Sequence, residues 1–174
     1  MRFLLAMLCL VALWGSPAAQ ELSLPEVRNQ FVAAATSESA ATELYKRLEK
    51  SKSELSIILM GYYGVMEARM AEYSSNPWKR YSYFSDGKER LENSILQQPN
   101  NTELRFLRFV LQTQVPEFLG YNENINEDKK IMLGALGKST LSSDLEATIV
   151  SYLLSSTHCT EADKAVIKRW KRQS

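Results

Sequence analysis

At four places along this chain a hydroxyl residue is followed three positions later by a carboxylate: Ser23 and Glu26, Ser51 and Glu54, Ser143 and Glu146, Thr160 and Asp163. This is the spacing of a capping box. The hydroxyl can accept the N–H of the third helical residue, and the carboxylate can reach back to the N–H of the cap. Asn100-Asn101-Thr102-Glu103 and Asn124-Ile125-Asn126-Glu127 repeat the arrangement with asparagine as cap. Asn76-Pro77 reads as a cap followed by a proline at the first helical position. A chain punctuated so often by helix starts is constrained to helices joined by short polar turns.

Between these starts the apolar residues recur at helical spacing. Leu55, Ile58, Leu59, Tyr62, Tyr63, Met66 and Met70 form the longest stripe, and Leu145, Ile149, Tyr152 and Leu153 form another. No segment keeps a strict two-residue alternation. Asp86-Gly87, a hairpin signal elsewhere, lies inside a helical pattern. The expected fold class is therefore all-α without a sheet, with about eight helices near 24–35, 38–49, 53–73, 78–97, 101–114, 125–136, 143–156 and 161–171. Loops are short and no low-complexity linker divides the chain, which predicts one domain over residues 19–174.

The first 18 residues are expected to lie outside that domain. "MRFLLAMLCLVALWGSPAAQ" has one charge, Arg2, then an apolar run from Phe3 to Trp14, then small residues, as in a secretory signal peptide cleaved after Ala18. The run is too short for a stable span of roughly 20 residues. No later window is long and apolar enough to cross a bilayer; "ELSIILMGYYGVMEA", the nearest, is short and carries Glu54 and Glu67. The mature chain is expected in the periplasm or outside the cell. The whole chain has 21 Lys and Arg against 20 Asp and Glu, and loss of Arg2 leaves a formal charge of zero. Neutrality gives no electrostatic case for nucleic acid. Cys9 would leave with the signal, so Cys159 has no partner for an intramolecular disulfide. About 155 residues bury enough surface, roughly 68–70 % of the unfolded chain's, to stand without one.

The middle of the chain resembles a tetratricopeptide hairpin. There a small residue early in the second helix allows close approach, an aromatic follows four residues on, and a proline ends the helix. Gly87-x₃-Leu91 stands in those places, with Ser94 next and Pro99 at the end, and Met60-Gly61-x-Tyr63-Gly64 loosely echoes the pattern of the preceding helix. The segment from Ser74 to Arg80 reads as a longer loop than the repeat uses, and no second copy occurs at a period near 34 residues. The resemblance implies antiparallel helical hairpins in a right-handed tetratricopeptide-like array. Residues 55–156, and "PNNTELRFLRFVLQTQVPEFLGYNENINEDKK" above all, also resemble small exported helical proteins of Bacteroidetes type, which implies a fold and an address rather than an activity.

That last stretch holds the candidate site. Leu104, Leu107, Val110 and Leu111 give a broad apolar face, while Arg105 and Arg108 interleave with Phe106 and Phe109. As a functional surface this is a groove with arginine hands, and Arg105, Arg108, Phe118, Tyr121 and Asn122 are the residues that would touch a protein or peptide partner. As a packing element it is a central helix whose arginines reach solvent or a neighbouring glutamate along apolar surface. The packing reading is expected. Asn122, Asn124, Asn126 and Asp128 alternate like a calcium loop, but the sixth and twelfth places hold Glu127 and Leu133 where an EF-hand needs glycine and glutamate. His158-Cys159 is the only nucleophile-and-base pair, and adjacent residues seldom aim at each other. The basic C-terminus, "KAVIKRWKRQS", suits the negative end of a helix dipole. These features point to a non-enzymatic exported interaction protein needing no cofactor or metal; the alternative is an exported hydrolase working through carboxylates.

Overall fold

The computed structural model describes residues 22–171. The expected signal peptide, residues 1–18, lies outside them. Eight helices follow in order: α1 (Leu24–Ala34), α2 (Glu38–Lys50), α3 (Ile57–Tyr73), α4 (Pro77–Gln97), α5 (Thr102–Gln114), α6 (Ile125–Ala135), α7 (Ser143–Ser155) and α8 (Glu161–Trp170). A single 3-10 turn, Glu117–Leu119, closes on Gly120 in the left-handed region at φ 62°. No strand occurs among the described residues.

The helix starts show which local signals are used. Thr160 and Asp163 form the full capping box: the Asp163 N–H donates to Thr160 Oγ1 at 3.2 Å and the Thr160 N–H to Asp163 Oδ2 at 2.8 Å. Asn76 caps α4 and Asn101 caps α5, each accepting two backbone N–H groups. Ser23 sits at the cap of α1 without a side-chain bond, and Glu26 instead holds Arg47 at 2.8 Å. Ser143 is the first residue of α7, and Glu146 accepts the Gly137 N–H at 2.6 Å. The expected start of α3 at 53 is corrected to 57. The N–H groups of Ser51 and Lys52 close the last carbonyls of α2, and residues 51–54 turn, so the cap passes to Ser56, whose hydroxyl accepts the Leu59 N–H. The connection read as a long loop from Ser74 is also shorter, only Ser74–Asn76, because Pro77 already begins α4.

α3 and α4 form an antiparallel hairpin in which Gly64 lies against Leu91 and Gly87 against Ala68. α5 and α6 form another: Arg108 meets Asp128, and Gln112 meets Asn124. α5 is buried at every position from Glu103 to Gln112 and uses all sides of its surface. Leu104, Leu107 and Leu111 join the apolar cluster of α1–α4. Phe106, Phe109 and Val110 join a second cluster made with α6, α7 and α8. Arg105, Arg108 and Gln112 face the start of α6. The packing reading of this helix is what the structure contains.

Candidate functional site

The five residues set out from sequence as a partner surface do not form one surface; three meet in the interior and two lie apart on the outside. Asp128 has no exposed surface and accepts from Arg108 Nε at 2.7 Å, Arg108 Nη2 at 2.8 Å and Arg105 Nη1 at 3.2 Å. Arg108 also donates to Glu92 at 3.0 Å, and Glu92 accepts the hydroxyl of Tyr121. Arg105 reaches the Pro99 carbonyl at 2.9 Å and Glu127 at 3.4 Å. Burial disfavours the charge on Arg108, but the hydrogen bonds and charges of Asp128 and Glu92 outweigh it and raise its pKa. Burial, then the Glu92 bond, raises the Tyr121 phenol. Arg105, Arg108 and Tyr121 thus sit in one internal network that ties α5 to α4 and α6. Phe118, 86 % exposed on the 3-10 turn, and exposed Asn122 lie outside it.

A second internal network is built in the same way. Arg28 grips Glu103 with two bonds of 2.6 Å, and the Tyr62 hydroxyl donates to the same carboxylate at 2.8 Å, joining α1, α3 and α5. A bidentate arginine is the geometry in which a carboxylate is best held away from water. His158 and Cys159 do not form a working pair. Cys159 is buried in the second apolar cluster, and burial pushes its thiol up, away from the thiolate a nucleophile needs. His158 is exposed and offers its backbone carbonyl to Lys129 at 2.8 Å. In the stretch that alternates like a calcium loop, Asp128 has both oxygens on arginines and the Asn124 side chain accepts from Gln112.

An apolar concave surface lies at the other end of α5. Two adjoining cavities of about 500 and 420 Å³ share Phe31, Arg69, Val110 and Gln114. The larger is bounded by α3, the first turns of α4, the end of α5 and the 3-10 turn; the smaller by α1, α3, α5 and α7. Small side chains line both: Ala34 at the end of α1 and Ala35 after it, Ala68 and Ala71 on α3, and Ala147 on α7. Phe84, Phe118 and Leu119 extend the apolar wall, and Tyr81, 69 % exposed, stands on the rim. Trp78, 83 % exposed, is one helical turn from Tyr81. Volumes of this size are those of ligand and side-chain pockets.

The charges along this groove differ from those inside. Arg69 donates to the Tyr73 hydroxyl at 3.2 Å and the Ala35 carbonyl at 3.0 Å, and it forms no ion pair among the described residues. Arg80 is exposed and its side chain has neither ion pair nor hydrogen bond among them. Of the carboxylates, Glu72 lines the groove, whereas Glu92, Glu103 and Asp128 do not.

Of the five residues set out from sequence, only Phe118 lines this groove; Phe31, Arg69, Arg80, Tyr81 and Val110 were missed. One signal was present. Trp78, Tyr81, Tyr83 and Phe84 place four aromatics within two turns of one helix. Such a segment cannot bury them all against a single neighbour, and Trp78 and Tyr81 are left outside.

Comparison with protein families, curated proteins and solved structures gave no match for this chain. No helix among the described residues is long and apolar enough to cross a membrane.

Proposed function

We propose that this chain is an exported, non-enzymatic interaction protein, acting in the periplasm or outside the cell, that receives a segment of a protein or peptide partner in the groove at the end of α5. The observation that carries this reading is the groove itself: an apolar trough over a rigid, fully packed helix, with cations at its edge that have no internal carboxylate. Contiguous exposed apolar surface of this kind marks interaction sites. The buried carboxylates Glu103 and Asp128 are tied to arginines in the interior, and the trough carries a single acid, Glu72. The α3–α4 hairpin, with glycine where the helices cross, fits a tetratricopeptide-like unit, and such units present concave helical faces to partners.

Site-specific photo-crosslinking tests the proposal. A benzophenone amino acid is placed at Phe118 and at Ser151, on opposite banks of the groove, and at Glu43 on the outer face of α2 as control. Irradiation in the producing cells should give the same discrete protein adduct from both groove positions and none from Glu43. The adduct should vanish when Ala147→Trp fills the smaller cavity. An adduct pattern that is the same from all three positions, or unaffected by the filled cavity, would refute the groove as the docking surface.

A further inference from the structure

We propose that the segment received in this groove is an amphipathic helix of the partner, carrying a carboxylate beside its apolar face; this rests on the groove being the docking surface. The first argument concerns the occupant's backbone. The walls of the groove are helices, the 3-10 turn and the short connections at Ala35 and Val115–Pro116, so no strand edge offers a row of unpaired N–H and C=O groups to an extended chain. Three of the polar side chains on the smaller cavity's wall are turned elsewhere. Thr148 donates to the Asp144 carbonyl at 2.9 Å, Ser155 to the Tyr152 carbonyl at 2.9 Å, and the Tyr152 hydroxyl pairs with Thr113 at 2.9 Å. An extended peptide would bury most of its amides here without partners, since Arg69, Gln114 and Ser151 are too few to pair a run of them, and that is unfavourable. A helix satisfies its own backbone and needs only an apolar stripe, as in helix-in-groove recognition.

The second argument is charge. Arg80 stands on the bank formed by α4 with no ion-pair partner, and Arg69 uses its donors on a hydroxyl and a carbonyl. Glu72 is the sole acid in that lining, so the bank carries a net positive charge. A docked helix with aspartate or glutamate flanking its stripe pairs with these guanidiniums, while one with lysines there meets like charge.

The test uses the full mature protein and three labelled peptides of about 18 residues, roughly five helical turns. All carry leucines at i, i+3, i+4 and i+7. The first is flanked by glutamates, the second by lysines, and the third is the glutamate peptide interrupted by a central proline. Fluorescence anisotropy at low salt should show the glutamate peptide binding about tenfold or more tighter than the lysine peptide, with no measurable binding of the proline peptide. Arg80→Gln, which removes an unpaired surface cation, should abolish the preference between the first two. Ser151→Trp should abolish binding altogether. Circular dichroism of both variants should match the parent. Equal binding of the lysine or the proline peptide would overturn the proposal. So would a failure of all three peptides to bind. If photo-crosslinks still form from Phe118 and Ser151, that failure removes only the helical, acidic occupant. If they do not, the groove reading falls with it.

Discussion

Replacing Gly87 by alanine should destabilise the protein although it improves helix propensity. Gly87 lies inside α4, where alanine is favoured over glycine by about 1 kcal/mol. A Cβ at this position would stand 2.4 Å from the Ala68 nitrogen, 2.4 Å from the Gly64 carbonyl oxygen and 2.9 Å from the Ala68 Cα. All three are backbone atoms of α3, so no rotamer change relieves the overlap. The helices must part toward the roughly 3.3–3.6 Å at which carbon meets a carbonyl oxygen, and the packing of Leu91 against Gly64 opens with them. Overpacking typically costs about 1–3 kcal/mol. A contact that only backbone can relieve belongs at the upper end, leaving a net loss of about 2 kcal/mol after the gain in propensity. In a domain of this size that lowers the Tm by about 4–8 °C. Gly134 is the control, a glycine of α6 with open space where the Cβ would go. Gly134→Ala should raise stability by about 0.5–1 kcal/mol. Gly61 is intermediate, since its nearest obstacle is the movable Leu104 side chain. Urea and thermal melts followed at 222 nm decide the matter. A neutral or stabilising Gly87→Ala, or the same sign of change at 87 and 134, would show that the α3–α4 crossing is looser than described.

The internal networks make further claims. Arg108→Ala should cost about 3 kcal/mol because it leaves the buried Asp128 with Arg105 alone, comparable to the about 2–5 kcal/mol for Leu107→Ala; replacing Arg108 and Asp128 together with Met and Leu should recover part of the loss in a chemical denaturation series. Cys159→Ser should cost no more than about 1–2 kcal/mol, and the folded protein should resist iodoacetamide at neutral pH, since burial holds the thiol protonated; fast alkylation with the fold intact would contradict this. Burial raises the phenols of Tyr45, Tyr62 and Tyr121, reinforced by Glu49, Glu103 and Glu92 respectively. A raised folded pKa leaves its contribution intact below the ordinary value of about 10 and removes it as the pH climbs toward the folded one. Stability should therefore fall above about pH 10, with part of the tyrosinate absorbance at 295 nm appearing only as helicity is lost; a single titration complete before unfolding would refute it.

The helices were legible because their signals are local. A cap and an apolar stripe lie within one turn or a few, so Asn76 and Thr160 could be read directly, and the box read from Asn100 fell one residue before the true cap, Asn101. The start of α3 was misplaced because Ser51 and Ser56 are both plausible caps. The choice is made by the end of α2, which needs the N–H groups of Ser51 and Lys52. Asp128 was illegible for a longer-range reason. In "NENINEDKK" it looks like one more solvated acid, and only the α5–α6 hairpin brings it under arginines 20 and 23 positions away. The same contact turned the arginines from apparent hands into interior residues. The groove was least legible, since its lining comes from α1, α3, α4, α5 and α7 and no spacing in the sequence links them.

The central claim is that the arginines of α5 belong to the interior, whereas Arg80, which has no ion pair among the described residues, belongs to the groove. Phenylglyoxal modification read by mass spectrometry measures this for each arginine in one experiment. Arg80 should react at the rate of an exposed guanidinium, and Arg105 and Arg108 should remain unmodified for as long as the protein is folded, with the glutamate-flanked peptide protecting Arg80. Reaction of Arg108 in the folded protein at a rate comparable to Arg80 would contradict the account.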